Sequence, residues 1–365
     1  MTLDFFPSRT LTLYLAKMFS LRIIAVLVML VLVLMMLDLL STSGEILAVP
    51  GNTEADLWLY ASLRIPLLIQ RFLPYSVLLA TIITLVTLNQ NSEVIAMKAA
   101  GLSAHQVLAP LILTALVVAA GTFAFNERVV TRAAAELNAW EKSKFGALPA
   151  AEEDSGVIYL IDGPDILTAR SYNAGGPAPT LRDVTFYRRS PNGEITQQID
   201  APLAVRGRDG WSMQPPRVFT VGTASLSEPA EVIVAKGITP QDIELASVDP
   251  TAQPLWRLDD SIAAYRAAGR DTDELQANYW HKISGPLSAV LMPLLGAVAG
   301  FGLARSGQLF VRAMIGMALG FAYFVLDNAA LAMGNFGGYP PFLAAWAPFF
   351  LFLLIGETVL VRTEE

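Results

Sequence analysis

The sequence predicts an α-helical membrane protein of six transmembrane helices with an all-β domain inserted between the third and the fourth. Three observations carry this. Charged residues are only 16% of the 365, against roughly 25% in soluble domains. They are also unevenly spread, because six runs contain no Asp, Glu, Lys or Arg: 23–37, 72–92, 99–126, 283–304, 313–326 and 328–356. Between the third and fourth runs lies a segment of soluble charge density with short β-prone stretches. Such a chain is not disordered, nor a disulfide-rich secreted module, nor a wholly soluble enzyme. It has no cysteine, so disulfides and thiolate chemistry are not available to it.

A charge at the bilayer centre costs a few kcal/mol, so the charge-free runs mark the spans. At 1.5 Å rise, about 20 residues cross a hydrocarbon core of roughly 30 Å. The spans are expected at 20–40, 66–88, 104–126, 283–304, 308–328 and 341–361. The first and fifth are short between charges, so Arg22 is expected to snorkel and Asp38 and Asp327 to end their spans at the interface. The first run alternatively reads as a signal peptide with Arg9, Lys17 and Arg22 as its basic region. Lys and Arg set the orientation. Arg9, Lys17, Lys98, Arg305, Arg312 and Arg362 fall on one side, while the short loops 41–63 and 329–340 hold neither residue. Both termini are therefore expected in the cytoplasm and residues 127–280 outside.

That gives three parts: 1–126 with spans one to three, 127–280 outside, and 281–365 with spans four to six. Residues 150–280 carry 11 Lys or Arg against 19 Asp or Glu, so the net charge of −7 belongs to this segment. Its β-prone runs are Val157 to Ile161, Val184 to Arg188, Val218 to Val221 and Val232 to Ala235. Turn signals separate them: Asp162-Gly163-Pro164, Gly175-Gly176-Pro177, Pro191-Asn192-Gly193 and Asp209-Gly210. Short strands so punctuated suggest a sandwich, a jelly roll or an open barrel. A stripe of Val129, Ala133, Leu137 and Trp140 continues span three outward, and Asp259 to Ala268 reads as a helix leading back.

Enzyme motifs are missing: no GxxxxGK[ST] phosphate loop, no HExxH, no GxSxG elbow. His105 and His281 fall near opposite faces of the membrane, so they form no metal pair and read as interfacial side chains. In the loop 89–106, Ser92 precedes Glu93, and a short amphipathic helix containing Met97 is closed by Gly101 in the left-handed conformation. Ser103 starts the next helix. Such a helix suits docking into a partner's groove, or is an ordinary interfacial loop with an acid at its amino terminus. Arg64 and Arg71 share one face of span two, and Arg128 and Arg132 leave span three at i and i+4. Four cations about the outer leaflet suit an anionic headgroup or simple snorkelling. Asp327 is either a functional membrane carboxylate or a solvated one. Gly296 with Gly300, and Gly316 with Gly320, permit close helix approach within the chain or to a second subunit. On architecture alone a transporter, an anchored scaffold and an enzyme acting on envelope lipid all remain open.

The run YWHKISGPLSAVLMPLLGAVAGFG from Tyr279, followed by VRAMIGMALGFAYFVLDN to Asn328, resembles the lipopolysaccharide export permeases, and their G-type more than their F-type subunits. RIPLLIQRFLPYSVLLATIITLVTLNQNSEVIAMKAAGLS from Arg64 and YPPFLAAWAP from Tyr339 support the resemblance. It covers the whole chain in order and is weak by sequence only in the insert. It implies an inner-membrane subunit of a Gram-negative ABC-type exporter, forming a heterodimer with an F-type permease. A cytosolic ATPase dimer supplies the work from ATP, and a single-span periplasmic bridge protein receives the lipopolysaccharide. No cofactor is bound by this chain and no nucleic acid is involved. Residues 91–101 would be the coupling helix, with Ser92, Glu93, Met97 and Gly101 serving the ATPase. Spans one and five would be lateral gates, placing Asp327 at one, and the insert a periplasmic jelly roll receiving acyl chains. G-type members carry a lysine near the outer end of span one that contacts lipid A phosphates. Here Met35-Met36-Leu37-Asp38 has none, so Arg64, Arg71, Arg128 or Arg132 must take that part, or the native lipid A carries fewer phosphates.

Overall fold

The computed structural model describes residues 7–146, 158–173, 178–240, 242–243, 249–267, 269–300 and 308–364. Helix α1 spans Arg9–Leu47 and α2 Glu54–Gln90, and the short α3 covers Glu93–Ala99. Helix α4, Ala104–Phe125, continues through one π-helical turn at Asn126–Val130 into α5, Thr131–Lys142. After the β domain come α6 (Leu255–Ala267), α7 (Asp273–Gly300), α8 (Gln308–Asn335) and α9 (Pro341–Glu364). Among the described residues five helices are long and apolar enough to cross a membrane: Arg9–Leu47, Glu54–Gln90, Ala104–Lys142, Ala313–Asn335 and Pro341–Arg362. The segment expected as span four lies on α7 as far as residue 300, and its last residues, with Arg305, fall outside the described ones.

The helices overrun the expected spans. Helix α1 has 39 residues and is roughly 58 Å long, well beyond the hydrocarbon core. Asp38 does not end it, because the carboxylate is satisfied by α2: Tyr60 Oη donates to Asp38 Oδ2 at 2.7 Å and Arg64 grips both oxygens. The stripe expected beyond span three is buried at Ala133, Leu137 and Trp140, the last two packing with Tyr60, Ala61 and Leu68 of α2, whereas Val129 is exposed. The bundle core joins Val77, Leu78, Leu85 and Leu88 of α2 to Leu291, Met292 and Leu295 of α7, with Leu108 and Leu111 of α4. Glycines let these helices close on one another. A Cβ at Gly296 of α7 would stand 2.6 Å from Thr81 Cγ2, and one at Gly316 of α8 3.5 Å from Ile82 Cδ1. Those glycines therefore pack within the chain; the surroundings of Gly300 lie outside the described residues.

The insert is one antiparallel sheet. Its strands are β1 (Ile158–Asp162), β2 (Asp165–Ala169), β3 (Ser171–Asn173), β4 (Thr180–Arg189) and β5 (Ile195–Arg206), then β6 (Trp211–Gln214), β7 (Arg217–Thr220), β8 (Ser225–Ser227) and β9 (Val232–Val234). The order is β1-β2-β4-β5-β6-β9, with β3 also on β4, β7 also on β5, and β8 on β7. The β4–β5 hairpin is the spine, and each of its strands carries two short strands side by side on its outer edge. One face is apolar: Leu167, Leu181, Phe186, Ile199, Trp211 and Met213 are buried together. The turns at Gly163 and Gly193, with φ +62° and +85°, use the left-handed freedom of glycine. The turn expected at Gly175-Gly176-Pro177 lies outside the described residues. Strands β2, β3, β5, β6 and β8 are additions to the expected set, and the return helix starts at Leu255, earlier than Asp259.

Candidate functional site

Two places gather the chemistry-bearing residues, one at each end of the bundle. At one end, α3 is a short peg. Gly101, at φ +86°, closes it in a Schellman motif: Leu102 N donates to Met97 O at 3.1 Å and Gly101 N to Lys98 O at 2.9 Å. Ser103 and Gln106 form a capping box that starts α4. Ser92 departs from expectation. It is left-handed, φ +61°, and makes no side-chain cap, so it is a corner residue rather than an N-cap. Met97 also departs. With Val94 it is buried in the bundle core and keys the helix in place instead of facing outward. The exposed side presents Ile95, Ala96 and Ala99, and Glu93 is half-buried beside them. Glu93 accepts from Tyr14 Oη of α1 at 3.4 Å and from Asn91 Nδ2 at 3.3 Å, which ties the peg to the first span.

At the opposite end, a cavity of about 520 Å³ opens between α2, the π turn, α7 and α8. Arg64 and Arg71 both line it, as their seven-residue spacing on α2 predicts. They are not equivalent. Arg64 is occupied by Asp38, at 3.0 and 3.2 Å, while Arg71 makes no ion pair among the described residues. Lys282 of α7 joins Arg71 in the lining, and Gln70, Asn126, Asn278 and Asn328 add amides. Asp327 is buried in this cavity, and α8 continues two turns past it to Asn335. Its partner is His281, with Nε2 3.0 Å from Asp327 Oδ2. Neither histidine is a free interfacial side chain, since His105 Nε2 is 3.3 Å from Glu357 Oε2. Tyr75 stacks on Phe324 at 3.6 Å between centroids and closes the cavity's inner end.

The four arginines do not form one ring. Arg128 lies in a second groove and Arg132, exposed, lines neither. The π turn explains the separation, because its extra residue rotates the helix beyond it relative to α4. It also buries two consecutive polar residues, Asn126 and Glu127. Sequence reasoning missed Lys282, Asn126 and the amides. Lys282 sits in the run YWHK just before a charge-free segment, a signal that was present, whereas neutral amides leave no charge pattern to find.

A family model described as "Lipopolysaccharide export system permease LptF/LptG" matches residues 13–362. A lipopolysaccharide export system permease protein LptG of Escherichia coli K12 is 26% identical over 322 residues, covering 83% of this chain and 85% of that protein. The LptG protein of Haemophilus influenzae is 24% identical over 328 residues, covering 86% and 89%.

Proposed function

Since the chain belongs to the lipopolysaccharide export permease LptF/LptG family, we propose that it is the G-type subunit of an ABC-type exporter of the Gram-negative inner membrane. Its family is one of transport permeases, not enzymes. In this reading six helices span the membrane, α7 being the fourth, with both termini cytoplasmic and the sheet in the periplasm. The subunit pairs with an F-type permease, presenting the largely exposed apolar face of α1. A cytosolic ATPase dimer hydrolyses ATP below, and a single-span bridge protein receives lipopolysaccharide above. The buried face of the sheet, shaped as a jelly roll around Trp211 and Phe186, receives acyl chains, and its acidic exterior repels lipid phosphates.

The observation that carries this reading is α3: an acid and small apolar residues displayed on a short helix whose other side is locked into the bundle. Purification in mild detergent tests it. An ATPase dimer and a second multi-span permease are expected to copurify, and recovery of the chain without an ATPase counts against the assignment. The cavity supports a finer expectation about the client. An unpaired guanidinium is available to a phosphate, whereas one already gripped by a carboxylate must first give up that partner. Arg71→Ala is therefore expected to lower retained lipopolysaccharide several-fold more than Arg64→Ala, as measured in the copurified complex. Equal retention in the two variants rejects the ranking.

A further inference from the structure

A second groove lies on the outside of the bundle, where the last apolar turn of α4 meets the π turn and the first turn of α6. It is lined by Phe123, Glu127, Arg128, Trp256, Asp259 and Tyr279, among others. Arg128 and Asp259 are exposed and make no ion pair among the described residues. Trp256 is 60% exposed, and aromatic rings so placed favour the headgroup level of a bilayer. Glu127 is 8% exposed and splits its two oxygens. Oε2 accepts from Leu255 N at 2.6 Å and holds the start of α6. Oε1 is buried and has no hydrogen-bond partner among the described residues. A buried carboxylate oxygen left so is costly, and a cationic donor relieves it. Lys282 of α7 interacts with Glu127 through charge, but it forms no hydrogen bond or ion pair with it among the described residues and lines the other cavity.

We infer that this groove, which the topology proposed above puts at the outer leaflet, holds one glycerophospholipid whose zwitterionic headgroup carries a primary ammonium beside its phosphate. The ammonium has three N–H donors for Glu127 Oε1 and Asp259, with the exposed face of Trp256 beside it. Arg128 takes the phosphate, and one acyl chain lies along Phe123. The mixed charge decides against a purely anionic lipid, whose phosphate would meet two carboxylates for one guanidinium. The site is separate from the Arg71 cavity and does not depend on what the protein exports.

The test is retention of added lipid by the full-length protein in mild detergent, read by native mass spectrometry. The probes are phosphatidylethanolamine, phosphatidylcholine, which lacks ammonium N–H groups, and phosphatidylglycerol, which lacks the cation. Phosphatidylethanolamine is expected to be held about tenfold better than either, the worth of one hydrogen bond to a charged group. Glu127→Gln and Asp259→Asn are each expected to remove most of that preference, with phosphatidylglycerol held no more weakly than before because one repelling carboxylate is gone. Glutamine still offers an oxygen to Leu255 N, and Asp259 is exposed, so Asp259→Asn carries the test if Glu127→Gln does not fold. Equal retention of the three lipids, preference for phosphatidylglycerol, or a phosphatidylethanolamine preference that survives Asp259→Asn would overturn the assignment.

Discussion

Glu93→Ala is expected to abolish ATP-driven release of lipopolysaccharide from the purified exporter while leaving the permease folded. The two effects separate by size. Within the chain Glu93 supports the amino terminus of a seven-residue helix, a service worth about 0.3–1 kcal/mol, and alanine recovers part of it through its helix propensity. Across an interface, truncating one partner of a desolvated charge pair costs about 2–5 kcal/mol, enough to weaken docking by a factor of thirty or more. Thermal unfolding of the permease should therefore barely move while lipid release fails. Tyr14→Phe is the control, since it deletes only the 3.4 Å hydrogen bond from α1 to Glu93. Its effect on release should stay within about threefold, because a hydrogen bond of that length contributes little. Lipid release at the normal rate from the Glu93→Ala complex sinks the coupling role.

What the sequence made legible is what local chemistry dictates. Gly101 in the left-handed conformation, Ser103 as a cap, and the turns at Gly163 and Gly193 follow from a residue and its immediate neighbours. So does the shared face of Arg64 and Arg71, which is helix geometry alone. What escaped depends on partners far along the chain. Asp327 is partnered by His281, 46 residues away, and Asp38 by Arg64, 26 residues away. Met97 was legible as one face of an amphipathic helix, but which face meets the bundle is decided by Leu102 and the core around it. Strand β5 was hidden for a different reason. Its sequence ITQQIDAPLAVR is polar in its first half and contains Pro202, a residue that cannot donate to a ladder. The structure tolerates it because the residue between the paired positions Arg182 and Val184 on β4, Asp183, turns to φ +49° there. Central pairing on both sides then holds a strand that propensity alone does not indicate.

The glycines on the α2 contact separate by what stands opposite them, and so do their variants. Gly296→Ala is expected to destabilise the bundle by about 1–2 kcal/mol, Gly320→Ala by less, and Gly316→Ala to be neutral or stabilising. Alanine in a helix interior gains roughly 0.5–1 kcal/mol over glycine wherever it fits. At Gly316 the nearest atom is 3.5 Å away, so that gain is kept. At Gly320 a new Cβ would lie 2.1 Å from Leu78 Cδ2, the end of a side chain that can change rotamer. At Gly296 it meets Thr81, with Cγ2 at 2.6 Å and Cβ at 3.0 Å. Threonine is branched at that carbon and stiff in χ1, and its hydroxyl is committed to Val77 O at 2.7 Å. The methyl cannot swing away without breaking that bond in a fully buried setting, so the helices must part, at the cost of about 1–3 kcal/mol usual for overpacking. Thr81→Ser removes the offending methyl and keeps the hydroxyl. In the Gly296→Ala background it should restore most of the lost thermal stability, giving a coupling energy well above the error of the cycle. If Thr81→Ser gives no rescue, the contact between α2 and α7 at Gly296 is looser than van der Waals packing, and the ordering of the three glycines fails with it.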